Sequence, residues 1–135
     1  MLDDLGLAAA LEWQGREVSR RSEIEVSVDS ESVPEDLPDE HKIYIYRLVQ
    51  EALNNAVRHS GARNAKVDVE HLAKSIVVRV TDDGRGFDPG RTRGMGILGM
   101  EERVKRLGGT LRVESQPEKG TTVTAEFPIP SGVSA

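Results

Sequence analysis

Glu51, Asn55 and Arg58 stand at positions i, i+4 and i+7 of the run Tyr46-Arg-Leu-Val-Gln-Glu51-Ala-Leu-Asn-Asn55-Ala-Val-Arg58-His59. In an α-helix that spacing places them on one polar stripe. A carboxylate and an amide one turn apart offer two oxygens to a hard cation, and the arginine adds positive charge a turn further on. Such a set suits a polyphosphate carried with Mg2+. A solvated helix face would show the same residues, so the stripe alone leaves both readings open.

Three glycine-bearing segments downstream carry further chemistry. Asp82-Asp83-Gly84-Arg85-Gly86 follows the alternating run Ile76 to Thr81. Alternation turns Ile76, Val78, Val80 and Asp82 to the same side of a strand, so Asp82 falls at the inner lip of the sheet. An unpartnered carboxylate there is costly. It needs a donor, and an adenine amino group would be one. Gly84 and Gly86 let backbone turn and approach a flat ring, although Asp-Gly is also ordinary turn chemistry. Gly94-Met-Gly96-Ile97-Leu98-Gly99 opens a helix whose free amides would receive phosphate oxygens. It reads as G-x-G-x-x-G, but Pro89-Gly-Arg-Thr-Arg precedes it where a dinucleotide fingerprint requires a strand. Residues 88–93 would form a short lid or a plain irregular loop. Gly120-Thr121-Thr122 starts the last strand and is weak evidence by itself. His41, His59 and His71 lack metal-ligand spacing; His59 adjoins the polar stripe, and His41 and His71 read as surface residues.

These groups need elements to position them. Residues 4–21 read as a helix with Leu7, Leu11, Gln14 and Val18 on one stripe, weakened at Gly15. Trp13, the single tryptophan, reads as a core residue. Glu23 to Val28 alternates as a strand. Pro34 and Pro38 punctuate a loop, and Asp39 would cap the central helix at its N-terminus. Along that helix Ile45, Val49, Ala52, Leu53 and Ala56 share an apolar face, and Gly61 would cap its end. Residues 65–70 and 75–81 read as a hairpin, 97–107 as a helix, and 110–115 and 121–127 as two more strands. The expected architecture is α/β (α+β): a two-layer sandwich, with a mixed, mostly antiparallel sheet of about five strands covered on one face by about three helices.

The 135 residues fit one domain, with no cysteine for disulfides or thiolate metal sites. The net charge of −5 disfavours nucleic-acid binding. No apolar run approaches a membrane span, and no secretory signal is visible at the start.

Taken together, Glu-x-x-x-Asn, Asp-x-Gly-x-Gly, Gly-x-Gly-x-x-Gly and Gly-Thr, in this order, resemble the ATP-binding domain shared by sensor histidine kinases, DNA gyrase, Hsp90 and MutL, with the Bergerat fold. The run Gly94-Met-Gly-Ile-Leu-Gly-Met-Glu-Glu-Arg-Val104, followed by Leu107-Gly-Gly-Thr-Leu111 and Lys119-Gly-Thr-Thr-Val123, looks most like bacterial two-component histidine kinases of the nitrate-sensor and desaturase-thermosensor type. Leu2-Asp-Asp-Leu-Gly-Leu-Ala-Ala-Ala-Leu-Glu-Trp13 is similar to the end of their dimerisation region. The resemblance implies that residues 1–22 end a linker helix, that 23–130 form the ATP-binding catalytic domain, and that 131–135 are a disordered tail. It implies ATP and Mg2+ as cofactors. Glu51 matches the family's catalytic carboxylate, with a share in the metal, and Asn55 matches the Mg2+ ligand. Arg58 and His59 match phosphate contacts, and Asp82 matches the adenine-binding aspartate. Gly84, Gly86, Gly94, Gly96, Ile97, Leu98 and Gly99 match the glycine boxes, and Thr121 and Thr122 match the threonine near adenine.

In that family the phospho-accepting histidine lies on a dimerisation helix upstream of the matched segment, and none of the histidines here occupies such a position. The implied function is the ATP-binding catalytic domain of a sensor histidine kinase, donating the γ-phosphoryl to a histidine on a separate dimerisation domain and so, indirectly, serving a response regulator. A stand-alone serine kinase of the anti-sigma type and a non-catalytic nucleotide-gated module share the fold and are the alternatives. The fragment is expected to be monomeric, cytoplasmic and without direct membrane contact, its parent either free or anchored in the inner membrane.

Overall fold

The computed structural model describes residues 2–85, 96–115, 118–130 and 132–133. Gly86, Gly94, the 88–93 segment and the side chain of His59 lie outside the described residues. The elements run α1 (Leu2–Arg21), β1 (Glu25–Asp29), α2 (Asp39–Asn55), a π-turn (Ala56–Ser60), β2 (Asn64–His71), β3 (Ser75–Asp82), α3 (Ile97–Arg106), β4 (Thr110–Ser115) and β5 (Thr121–Pro128). The strands form one sheet in the order β1-β2-β3-β5-β4. β1 and β2 are parallel, joined through α2 as a parallel pair requires, and the other neighbours are antiparallel.

The sheet buries one face. Val67, Val69, Ile76, Val78, Val80, Val123, Ala125 and Phe127 point into the core by strand alternation. The opposite face is charged, with Arg79 paired to Asp68 at 3.4 Å and Arg112 to Glu114 at 3.2 Å. The apolar stripe of α2 covers the buried face: Ile45, Leu48, Val49, Ala52, Leu53 and Ala56 are all buried. α1 adds Leu7, Leu11, Gln14 and Val18, the stripe expected of it. Gly15 lets α1 approach β1; a Cβ there would stand 2.7 Å from Val28 Cγ2.

Several local expectations are corrected. Trp13 is 37% exposed; it lines a groove between α1 and α2 with Tyr46 and Leu53 instead of entering the core. His41 is buried, its Nε2 donating to the Pro128 carbonyl at 2.8 Å, because α2 starts over the end of β5. Pro38, not Asp39, occupies the N-cap of α2; Asp39 is the first helical residue, where its charge still favours the dipole. Val133 packs against the core. Gly61 does end the central helix, in the left-handed conformation at φ 62°.

Candidate functional site

α2, β3, α3, β4 and β5 enclose a narrow cleft of about 10 Å³. Its walls are Ala52 and Asn55 from α2, Val80 and Asp82 from β3, Ile97 and Met100 from α3, Val113 from β4, and Thr121 and Val123 from β5. Polar groups from three of these elements therefore meet at one place. The β3–β5 register sets Asp82 directly opposite Thr121. Thr121 is buried, with its hydroxyl 2.8 Å from that of Ser115. The Asp82 carboxylate accepts the Gly84 amide at 2.9 Å, closing the turn that carries the chain off β3. Gly120 is needed beside this turn: its φ is 80°, and a Cβ would overlap the Asp82 carbonyl oxygen.

α2 positions Glu51 one turn before Asn55, and both are half-buried. Gly96, the N-cap of α3 with φ 74°, lies directly against Glu51; a Cβ there would collide with Oε1 and stand 2.6 Å from Cδ. The sheet, α2 and α3 thus bring together Asn55, Asp82, Ile97 and Thr121, with Glu51 and Gly96 in mutual contact. Other expected residues fall elsewhere. Leu98 is 64% exposed, turned from the cleft by its place on α3. Thr122 faces the other side of the sheet from Thr121, as alternation requires. Arg58 is exposed on the π-turn that follows Asn55. Gly99 is half-buried on α3, outside the cleft wall.

One residue that supports the site from outside the cleft wall was not singled out by its spacing. Asp83 accepts the backbone amides of Arg63 and Asn64, each at 2.9 Å, and the Asn64 side-chain amide at 2.9 Å. These donors, the Asn64 backbone amide foremost, hold its carboxyl below the ordinary aspartate range. Its own amide donates to the Asn64 carbonyl at 3.1 Å. Asp83 thereby bolts the exit of β3 to the start of β2, fixing where Asp82 stands. Only its adjacency to Asp82 pointed to it.

Residues 40–131 match the family model for histidine kinase-, DNA gyrase B-, and HSP90-like ATPases. The chain is 34% identical over 131 residues to the oxygen sensor histidine kinase NreB of Staphylococcus carnosus, covering 95% of this chain and 38% of that protein. It spans between 29% and 38% of the length of the curated relatives it matches. The blue-light activated histidine kinase EL346 of Erythrobacter litoralis superposes with a TM-score of 0.77 at 26% identity, over 91% of this chain and 42% of that one. The ATP binding domain of PrrB from Mycobacterium tuberculosis has the same fold, with a TM-score of 0.70 at 19% identity, covering 93% of this chain and 95% of that one.

Proposed function

The chain belongs to the family of histidine kinase-, DNA gyrase B- and HSP90-like ATPases, with sensor histidine kinases as its relatives, and on that premise we propose that it binds Mg2+–ATP and presents the γ-phosphoryl to a histidine on a separate dimerisation domain. The observation that carries this is the convergence of Asn55, Asp82, Ile97 and Thr121 on one cleft. An adenine amino group would donate to the Asp82 carboxylate at the inner end of β3, beside the Gly84 amide that it already accepts. Val80, Met100, Val113 and Val123 give the ring apolar walls. The Asn55 amide oxygen and the Glu51 carboxylate are hard ligands suited to Mg2+, which prefers oxygen. Among the described residues no cluster of three or more His, Asp or Glu stands ready for a metal, so the cation would be shared with phosphate oxygens.

In the transfer itself, the bond from the γ-phosphorus to the bridging oxygen of ADP would break and a bond to an imidazole nitrogen would form, the ring's N–H proton passing to the Glu51 carboxylate. Positioning and electrostatics carry most of such a reaction. Within the parent protein, α1 would lead from the acceptor region, and the phosphohistidine would serve a response regulator. Among the described residues no helix is long and apolar enough to cross a membrane. We read the isolated domain as a cytoplasmic monomer; sedimentation showing a concentration-independent dimer would contradict that.

Calorimetric titration with ATP and Mg2+ tests the binding reading. Wild type should bind, and Asp82→Asn should weaken binding by about tenfold or more, the value of a hydrogen bond to a charged group. Equal affinity in the variant would overturn the adenine assignment, and no binding by wild type would overturn the function. Glu51→Ala should abolish phosphoryl transfer to an added dimerisation domain; retained transfer would remove Glu51 from catalysis.

A further inference from the structure

α1 and α2 lie side by side. Gln14 reaches Tyr46 and Arg21 reaches Asn54, so contacts advance together along both helices and the pair runs parallel. Between them lies a groove of about 250 Å³, bordered by Trp13, Gln14, Glu17 and Arg21 from α1 and by Tyr46 and Leu53 from α2. It shares no residue with the cleft. Gln14 is only 5% exposed. Its Nε2 donates to the Tyr46 carbonyl at 3.2 Å, and this fixes the amide's orientation, since the reverse would set two acceptors against each other. Oε1 is therefore the atom left over. It is buried and has no hydrogen-bond partner among the described residues. A buried acceptor in that state is costly until a donor reaches it.

We propose that this groove binds a small, uncharged, flat aromatic molecule of two fused rings that carries a ring N–H. The N–H donates to Gln14 Oε1, and the rings pack against Trp13 and Tyr46 in offset or edge-on contact. An enclosed cavity of about 150 Å³ holds benzene, so the larger groove suits two rings. Charge argues for a neutral ligand. Glu17 and Arg21 bring opposite signs to the same border, and Glu17 is already held by Arg20 at 2.9 Å. Trp13, on the rim and not in the core, is the side chain that swings aside to open the path to Oε1. The site is independent of the nucleotide reading.

The test is nuclear magnetic resonance on isotope-labelled protein, titrated with indole and with N-methylindole, which has the same rings without the donor. Trp13 is the only tryptophan, so its ring N–H gives one signal, and the Gln14 amide gives a second report from the groove. Indole should move both signals and bind about tenfold tighter than N-methylindole, the worth of a donor to a buried, unpaired acceptor. Gln14→Met removes the acceptor at similar volume and should bring the two probes within about twofold of each other. Trp13→Ala, at an exposed position, should weaken indole by about fivefold. Equal affinity of wild type for the two probes would overturn the proposal, and that comparison decides even where Gln14→Met fails to fold. Shifts confined to Asn55, Asp82 and Thr121 would move the ligand to the cleft and overturn it too. So would a Trp13 signal that changes with protein concentration alone, which would give the groove to a second copy of the chain.

Discussion

Three donors converge on Asp83, a side chain that forms no part of the cleft wall. Its folded pKa is lowered, so its contribution to stability is fully present above the ordinary aspartate value, about 3.9, and is lost as the pH falls through the folded value. Asp83→Asn should therefore lower the melting temperature most near neutral pH, with the gap to wild type closing below about pH 4. A gap constant across that window would show that the charge is not what matters. Gly120 acts on the same strand end from the other side. Gly120→Ala forces a side chain into a left-handed backbone position and onto the Asp82 carbonyl. It should cost about 1–3 kcal/mol in denaturant melts and weaken ATP binding as well, because Asp82 has to shift.

At the level of elements, alternation made each strand legible, and the buried residues Ile76, Val78 and Val80 fall on the side where that pattern puts them. The apolar stripes of α1 and α2 were legible for the same reason. Partnership across the chain was not. His41 is polar and reads as surface, yet it is satisfied by a carbonyl 87 residues away, a contact that no local pattern encodes. The π-turn after Asn55 was not expected, since the extra residue per turn leaves no compositional mark. Among the cleft residues, Asn55, Asp82 and Thr121 were legible because each sits beside a glycine motif or one turn from a carboxylate. The apolar walls Val113 and Val123 were hidden, because strand valines are ordinary core residues until the register aligns them. The α1–β1 contact yields a separable prediction. Gly15→Val would press a branched side chain onto Val28 and Val26 and should destabilise by about 1–3 kcal/mol. Since α1 contributes nothing to the cleft, the folded variant should bind ATP like wild type; a parallel loss of affinity would mean that α1 shapes the site.

Across the whole molecule, one core joins all three described helices to the sheet, with Leu11, Ile45, Met100 and Phe127 fully buried in it. A shared core favours a single cooperative transition. Emission from Trp13, between α1 and α2, should report the same denaturant midpoint as far-ultraviolet dichroism; separate midpoints would show that α1 detaches first. The strand order carries a consequence for biosynthesis. β5 is the last strand in sequence but lies between β3 and β4. A nascent chain that has released everything as far as β4 still lacks the partner of both strands, and it also lacks Thr121 and Val123 from the cleft. On the ribosome, then, nucleotide cannot assist early folding: competence arrives in one step, when β5 clears the exit tunnel and slots into a gap that has stood open since β4 was made.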